Sequence, residues 1–503
     1  MNKKIYGIEH WSFEDVIDVL KGRAHSHLSD DAKSQIKKSA QNVEAIVNSG
    51  LTVYGINTGF GPLCDTQISK EETSKLQENL LISHAVGVGN PIKKEISKLM
   101  LITKAHALAK GFSGVTLEVV ERMLFMVEND IIPVVPEQGS VGASGDLAPL
   151  SHLFLPLIGE GEVWEGDSII PTKLALEKHG LSPIRLSAKE GLGLINGTQF
   201  ILAHALVGLD KFAYLLDLAD VIGAMSLEAY AGVKSPFMKE LHEVRPYQGT
   251  KKVAARIRKI LENSEIIDNN DFPRVQDPYS LRCMPQVHGA SRNAWLHLKE
   301  MAEIELNSVT DNPIVLDDKT SISGGNFHGQ PMAMVLDYAT LAAAELGNIS
   351  DRRSYLLLEG NHGLPRLLTE SSGLNSGFMI PQYTAAALVT ENKTLCFPAS
   401  ADSIPTSLGQ EDHVSMGSIS GRKFNEVLDN LEKILAIELM YACQGLEFRR
   451  PLKSSPIIEQ VFALVRTKVD KLEDDRLIGR DINSIIGIIQ GDQLKEIISQ
   501  IKE

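Results

Sequence analysis

The sequence predicts a mainly α-helical protein in which a mixed, mainly helical N-terminal domain precedes a bundle of long helices. Aromatic residues make up only 6% of the 503 residues while alanine and leucine are frequent, a composition that favours helix over sheet. Apolar residues recur at helical spacing over long stretches after about residue 200. Before that point a proline-punctuated, β-branched segment at 131–136 interrupts the helical period. We therefore expect an N-terminal domain at 1–200 and a helical bundle at 201–503.

The first element is an amphipathic helix over residues 29–50. Its apolar positions from Ile36 to Val47 follow one another at intervals of four, three and four residues, and Gly50 is placed to end the helix. Further elements of the N-terminal domain are predicted from the same kind of pattern: helices at about 93–110 and 116–128, a small-residue loop at 139–145, and a β-hairpin at 163–170 that turns at Gly166-Asp167.

The second half of the chain is dominated by long helical patterns. They lie near 200–231, 289–307, 330–359, 376–395 and 414–448. The last pattern has an apolar stripe formed by Phe424, Val427, Leu428, Leu431, Ile434 and Leu435. Helices of this length pack against one another in a bundle. The loops around 263–288 and 308–330 are too polar and glycine-rich for core helix, so chemistry is expected there.

Charge and cysteine content exclude several classes of function. The formal net charge of −14 and the pI near 5.5 argue against a nucleic-acid partner. Cys64, Cys283, Cys396 and Cys443 form no C-x-x-C pair, so neither a disulfide framework nor a metal site is predicted. The N-terminus lacks the apolar core of a signal peptide, and no run of about 18 apolar residues occurs. We expect a cytoplasmic protein without a membrane partner.

The most informative segment is residues 139–152, with the sequence GSVGASGDLAPLSH. An isolated Ala-Ser-Gly usually marks a turn, but the whole segment resembles the prosthetic-group loop of the histidine and aromatic amino-acid ammonia-lyase family. The resemblance implies the ammonia-lyase/fumarase-like helical fold. It also implies that Ala143, Ser144 and Gly145 cyclise to 4-methylidene-imidazol-5-one (MIO).

The residue types of this tripeptide suit that cyclisation. The amide nitrogen of Gly145 attacks the carbonyl of Ala143, which requires a compressed turn that glycine accepts most easily. Loss of water from Ser144 then leaves an exocyclic methylene, an electrophile that ordinary side chains do not supply. The chain itself therefore provides the cofactor, and no external cofactor is expected.

Two further segments match the family and supply candidate catalytic residues. Residues 54–61, YGINTGFG, resemble its glycine-rich loop, which implies that Tyr54 is the base for the substrate β-proton. A phenol with a pKa of about 10 needs nearby positive charge or dipoles for that role, and Arg282 and backbone amides are candidates. Asn196 matches the asparagine beside the MIO ring, where its amide could bind the ring oxygen. Helix capping is its alternative role.

Residues 276–283, QDPYSLRC, are the other strong match. Arg282 offers a planar, two-pronged donor suited to the α-carboxylate of an amino acid. By resemblance, Gln276 and Tyr279 line the reacting centre and Phe327 packs against the substrate. Gln330 departs from the pattern, because some relatives carry an acidic residue there, and the charge of that neighbourhood is left open.

Two places bear on the choice of amino acid. The pair at Ser83-His84 tends to be Phe-Leu in the family's phenylalanine lyases, His-Leu in its tyrosine lyases and Ser-His in its histidine lyases. Residues 410–416, QEDHVSM, are similar to the histidine-lyase pattern. A carboxylate at Glu411 can accept a hydrogen bond from an imidazole N–H, whereas it would be buried without a partner against a phenyl ring. Both places favour histidine.

The resemblance thus implies non-oxidative elimination of ammonia from L-histidine to give trans-urocanate, the first step of histidine degradation. A tyrosine or phenylalanine ammonia-lyase, or a 2,3-aminomutase with the same MIO group, is the alternative, because motif residues do not show whether ammonia is retained. A helical scaffold without activity is a third hypothesis, which the intact motifs disfavour. The candidate residues are scattered along the chain, so the fold must gather distant segments. The resemblance implies that this happens in the family's homotetramer, with loops from different subunits at each site.

Overall fold

The structure is a computed structural model that describes residues 3–49, 52–59, 61, 68, 69, 72–269, 272 and 275–501. Phe60, within the glycine-rich motif, and Cys64 lie outside the described residues. The chain forms two compact units. Unit 1 comprises Met1–Val207, Leu298–Asp337 and Pro398–Arg422, and unit 2 comprises Gly208–His297, Tyr338–Phe397 and Lys423–Glu503. These units differ from the two consecutive segments expected at 1–200 and 201–503, because two later stretches of the chain return to unit 1.

The N-terminal part of the chain is mainly helical. Its helices are α1 (Phe13–Leu20), α2 (Asp30–Ser49), α3 (Thr73–His84), α4 (Lys94–Leu108), α5 (Leu117–Glu128), α6 (Leu147–Phe154), α7 (Thr172–Lys178) and α8 (Glu190–Ile195). A capping box begins α1, since Ser12 accepts from the Asp15 amide and Asp15 accepts from the Ser12 amide. Helices α2, α4 and α5 confirm the three helices predicted from apolar spacing.

The strands are short, and all but β8 and β9 belong to this N-terminal part of the chain. They are β1 (Lys3–Ile5), β2 (His25–His27), β3 (Val88–Pro91), β4 (Ile132–Pro133), β5 (Pro136–Gln138), β6 (Glu162–Glu165), β7 (Ser168–Pro171), β8 (Ile314–Val315) and β9 (Ser321–Ile322). Strands β6 and β7 form the predicted hairpin, with Val163 opposite Ile170. Strand β4 adds to this hairpin, β1 pairs with β2 in parallel, and β3 with β5 and β8 with β9 pair antiparallel.

The rest of the chain contains the long helices. In order it forms α9 (Gln199–Ala229), α10 (Lys239–Glu243), α11 (Gln248–Ile260), α12 (Glu265–Asp268), α13 (Tyr279–Arg282), α14 (Met284–Leu306), α15 (Gln330–Leu358), α16 (Met379–Leu395), α17 (Gly417–Glu447), α18 (Pro456–Arg466), α19 (Ile478–Gln490) and α20 (Asp492–Ser499). The mainly α fold and the five long helices are confirmed. All six residues of the predicted stripe on α17 are fully buried.

Helix α14 begins earlier than predicted. The polar stretch around residue 285 argued for a loop up to 288, yet the helix starts at Met284. Pro285 is compatible with this start because the first helical turn needs no backbone donor. Within the part of the chain that the structure describes, no helix combines the length and apolar character needed to cross a membrane.

Candidate active site

Unit 1 contains a cavity of about 570 Å³ that brings together residues from distant parts of the sequence. Six of the sequence-predicted site residues line it: Tyr54, His84, Ser144, Asn196, Phe327 and Glu411. Polar residues that the sequence did not single out also line it, among them Asn79, Asn312, Ser323 and Gln410. The cavity is large enough for an amino acid, and its wall carries both charged and amide groups.

The loop before α6 is tightly turned at the predicted tripeptide. Ser144 has a φ of 51° and Gly145 a φ of 78°, so both residues are in the left-handed region. A Cβ atom added at Gly145 would lie 2.1 Å from the carbonyl oxygen of Gly197. Only glycine therefore fits at this position, and the backbone around Ser144 is compressed against the segment that follows α8.

Asn196 lies directly after α8 and contacts this turn. Its Nδ2 donates a hydrogen bond to the carbonyl oxygen of Ser144 over 2.7 Å. Its Oδ1 is buried and has no hydrogen-bond partner among the described residues. Cyclisation of the tripeptide retains the Ser144 carbonyl oxygen, so the residues present fit an MIO group, with Asn196 bound at the oxygen where negative charge would grow.

Asp146, at the end of the turn, holds the loop to the start of α9. Its buried Oδ2 accepts from the backbone amides of Phe200 and Ile201, both over 3.0 Å, and its Oδ1 accepts from Ser140 Oγ over 3.2 Å. Burial raises the pKa of this carboxyl group to about 7, although these hydrogen bonds oppose the rise. Sequence reasoning missed this role, because Asp146 serves as the cap of a helix that begins far beyond it.

Glu411 and His84 face the same cavity. Glu411 Oε1 accepts from Ser144 Oγ over 2.5 Å, and its Oε2 accepts from Thr406 Oγ1 over 2.8 Å. His84 is the last residue of α3, and its Nδ1 lies 3.0 Å from Ser83 Oγ. Burial lowers the pKa of His84, while the charge of Glu411 partly opposes this. His84 is therefore neutral at neutral pH and can serve as a hydrogen-bonding group for a polar ring.

The loop that carries Tyr54 packs against α8. Gly55 has a φ of 73°, and a Cβ atom added there would lie 2.5 Å from the Leu192 side chain. Asn57 is buried, and its Oδ1 accepts from the Val53 amide over 2.9 Å, which closes the loop on itself. Tyr54 is thereby anchored next to α8, the helix that Asn196 directly follows.

Phe327 follows a turn that Asn312 organises. Asn312 Oδ1 accepts from the Gly324 amide over 2.6 Å, and its Nδ2 donates to Ser323 Oγ over 3.2 Å. These contacts hold the glycine-rich segment that leads to Phe327 along the cavity wall. No pattern in the sequence singles out Asn312, because its hydrogen bonds depend on how the polar loop at 308–330 folds.

Of the other five predicted residues, Ala143 and Gly145 belong to the tripeptide turn in unit 1, and three lie in unit 2; none of the five is among those that line the cavity. Gln276 is exposed, and Tyr279, 71% exposed, begins α13. The guanidinium carbon of Arg282 lies 4.5 Å from the centre of the Tyr279 ring, and Arg282 Nε is buried with no hydrogen-bond partner among the described residues. Asp277 fixes the segment by accepting from the Val233 amide over 2.7 Å. The Arg282 and Tyr279 side chains thus form a stacked pair on a segment that Asp277 holds in place.

Comparisons with known proteins agree with this fold. A family model described as aromatic amino acid lyase matches residues 11–467. A histidine ammonia-lyase of Caldanaerobacter subterraneus subsp. tengcongensis is 45% identical, with 99% of each chain covered. The crystal structure of a histidine ammonia-lyase from Trypanosoma cruzi has a TM-score of 0.91 at 40% identity, covering 100% of this chain and 96% of that one. A tyrosine aminomutase from Streptomyces globisporus has a TM-score of 0.94 at 34% identity, covering 100% and 99%.

The fold and the site define a class of protein: mainly helical enzymes with a compressed Ala-Ser-Gly turn at the cavity. The chain belongs to the aromatic amino acid lyase family.

Proposed function

We propose that this protein is a carbon–nitrogen lyase that eliminates ammonia from L-histidine and releases trans-urocanate. One observation carries the choice of substrate: the Glu411 carboxylate and the neutral His84 imidazole lie on the wall of the cavity that contains Ser144. An imidazole ring can exchange hydrogen bonds with both, whereas a phenyl ring could not replace the Ser144 hydroxyl group, the donor that Glu411 Oε1 loses when MIO forms. The relatives named histidine ammonia-lyase, 45% identical over nearly the whole chain in one case, support the same choice.

The prosthetic group that we propose is MIO, formed from Ala143, Ser144 and Gly145. When present, this group supplies an electrophilic methylene toward which the substrate is directed. The compressed turn and the hydrogen bond from Asn196 to the Ser144 carbonyl oxygen support this assignment. Asn196 stabilises negative charge on that oxygen, because its amide already points at the atom before any charge develops.

Tyr54 removes the β-proton of the substrate in this proposal. It lines the same cavity as Ser144 and is anchored to α8 by the close packing at Gly55. His84 and Glu411 hold the imidazole ring, and Phe327, in the loop at 308–330, packs against the bound substrate. The reaction then needs a group for the α-carboxylate, which these cavity residues do not supply.

Arg282 is the proposed carboxylate-binding group, with Gln276 and Tyr279 beside it. All three lie in unit 2, outside the residues that line the cavity, so we propose that a neighbouring subunit of a homotetramer supplies them. Exposed apolar side chains in unit 2 support association, including Tyr338, Leu341, Ile380, Tyr383 and Phe397. The cytoplasmic location expected from the sequence stays a prediction.

Arg282→Lys tests the carboxylate site. Lysine keeps the charge but loses the planar pair of donors and the stacking on Tyr279, so we expect kcat/KM to fall about 10- to 100-fold. The mass at residues 143–145 should be unchanged, because the substitution does not touch the turn. Arg245→Lys is the matched control, since Arg245 also stacks on a tyrosine, Tyr247. Wild-type kinetics for Arg282→Lys would remove it from the site.

Substrate choice is tested at Glu411 and His84. We expect Glu411→Gln to lower kcat/KM for L-histidine about 10- to 100-fold, because a hydrogen bond to a charged group is lost. His84→Leu should also weaken turnover of histidine and raise the relative turnover of tyrosine. The two effects should be non-additive, since both residues bind one ring. Asp412→Asn, at the exposed neighbour of Glu411, is the charge-matched control.

Melting temperatures decide between recognition and support of the fold. If the variants lose turnover of every amino acid alike and also melt at lower temperature, the histidine pocket is refuted.

The alternative activity, a tyrosine or phenylalanine lyase or a 2,3-aminomutase, is tested by product analysis with each amino acid. An aminomutase would retain nitrogen as a β-amino acid, whereas the proposed lyase releases free ammonia and urocanate.

A further inference from the structure

Lys104 is a buried lysine that none of the proposed steps uses. It lies within α4 with 1% of its surface exposed, in a stretch of that helix that is buried from Leu99 to Leu108. A charged group is costly to bury, so an ammonium at this depth needs compensating contacts. Lys104 contacts Asn196, one of the residues that line the cavity.

The Lys104 ammonium group binds the segment behind Ser144. Its Nζ donates to the main-chain carbonyl oxygen of Asn196 over 2.6 Å. It also lies 3.1 Å from the position that a Cβ atom of Gly197 would occupy. The Asn196–Gly197 peptide contacts the tripeptide turn at two points, since Asn196 Nδ2 donates to Ser144 O and Gly197 O accepts from the Asp146 amide over 2.7 Å. One ammonium group thus anchors the peptide that holds the turn.

The neighbouring charges do not neutralise Lys104 through a direct ion pair. Asp311 is paired with Lys189, which is fully buried, over 2.8 Å. The Asp146 carboxylate accepts from the first amides of α9. Among the described residues no carboxylate oxygen lies within 4.0 Å of Lys104 Nζ. The positive charge of Lys104 is therefore directed at the Asn196 carbonyl group.

We propose that Lys104 is a positioning residue that acts through Asn196: it fixes the Asn196–Gly197 peptide and places a buried positive charge behind the amide that binds the Ser144 carbonyl oxygen. This inference rests on the proposed function, in which negative charge grows on that oxygen during turnover. A charge in a water-excluded interior acts over several ångströms with little screening. Lys104 therefore stabilises that charge without touching the substrate.

The protonation state of Lys104 supports the same role. Burial lowers its pKa to about 8; the nearby Asp311 and Asp146 raise it, whereas Lys189 lowers it further. Because the pKa is lowered from that of an exposed lysine, the ammonium form is present below about pH 8 and is lost as the pH rises through that value. The contribution of Lys104 should accordingly be largest at neutral and lower pH.

The test compares Lys104→Met with Lys189→Met. Both substitutions remove a buried ammonium from unit 1, but only Lys104 contacts Asn196. We expect Lys104→Met to lower kcat for L-histidine about 10- to 100-fold with KM within about three-fold of wild type. The mass loss at residues 143–145 should persist. Lys189→Met should lower the melting temperature at least as much, because it leaves Asp311 without its partner, yet keep kcat within about three-fold of wild type. A kcat that falls equally in both variants, or in neither, would overturn the proposal.

Two further measurements keep the test decisive. If Lys104→Met does not accumulate as folded protein, Lys104→Arg replaces it, because a guanidinium remains protonated at high pH. A kcat that persists to higher pH than in wild type supports the role, and an unchanged pH profile contradicts it.

The second measurement is the rate at which borohydride adds mass to residues 143–145, which does not depend on the substrate. Wild type that reacts with borohydride but leaves L-histidine unchanged would refute the proposed substrate, while slower addition in Lys104→Met would still support Lys104.

Discussion

Ser144→Ala is expected to abolish nearly all activity while leaving the protein folded. The methylene carbon of MIO is the Cβ atom of Ser144, and an alanine methyl group has no hydroxyl group to lose. Wild type should be lighter than its translated sequence by two water molecules, and this loss should map to a peptide with residues 143–145. The variant should have its full translated mass. We expect kcat to fall by roughly 10⁴-fold or more, since no other side chain supplies this electrophile.

Ser151→Ala is the matched control for that experiment. Ser151 lies on α6, a short distance beyond the turn, and its hydroxyl group donates to Leu147 O over 2.8 Å within the helix. This variant should retain both the mass loss and the activity. An active wild-type sample with an unmodified mass would contradict the assignment of MIO.

Tyr54→Phe should have the next largest effect. Phenylalanine keeps the ring that lines the cavity but removes the phenol oxygen, which takes the β-proton as the phenolate. General-base catalysis typically contributes about 10²- to 10⁴-fold, so we expect kcat to fall within that range. The mass loss at 143–145 should remain, because Tyr54 takes no part in cyclisation. Measuring kcat and intact mass on the same preparation separates the two roles.

Tyr247→Phe controls for the loss of a phenol elsewhere on the surface, since Tyr247 is 56% exposed and lies in unit 2. If Tyr54→Phe retained kcat within about three-fold of wild type, another group would have to be the base. A deficit in mass loss for Tyr54→Phe would instead place this residue in the formation of the prosthetic group.

The long helices were predictable because each buries a continuous apolar stripe, as the residues from Phe424 to Leu435 do on α17. Helices α3 and α8, which end at His84 and beside Asn196, were not predicted. Helix α3 buries Gln77 while exposing Ile82, so its pattern does not follow a simple stripe. Helix α8 is only 6 residues long and contains two glycines, too short for a period to emerge.

The residues of the candidate site likewise differ in whether the sequence could predict them. Ser144 and Asn196 could be singled out because whole segments around them resemble a family, and the structure brings them within hydrogen-bond distance. Asp146 and Lys104 could not, because their roles depend on contacts with parts of the chain that are distant in sequence. Asp146 caps a helix that begins at Gln199. In the sequence, nothing distinguishes Lys104 from any other lysine in a helix. Pairings of this kind are set by tertiary folding rather than by local pattern.

The discontinuous make-up of unit 1 affects how the protein is synthesised. The turn around Ser144 emerges early from the ribosome, but it receives hydrogen bonds from the segment after residue 398: Met416 N donates to Val141 O over 2.9 Å, and Ser418 Oγ to Ser140 O over 2.6 Å. At 5–20 residues per second, translation from Val207 to Arg422 takes roughly 10 to 40 s. During that time the nascent chain contains the tripeptide without these contacts, so a polypeptide truncated before residue 398 lacks these two restraints on the turn.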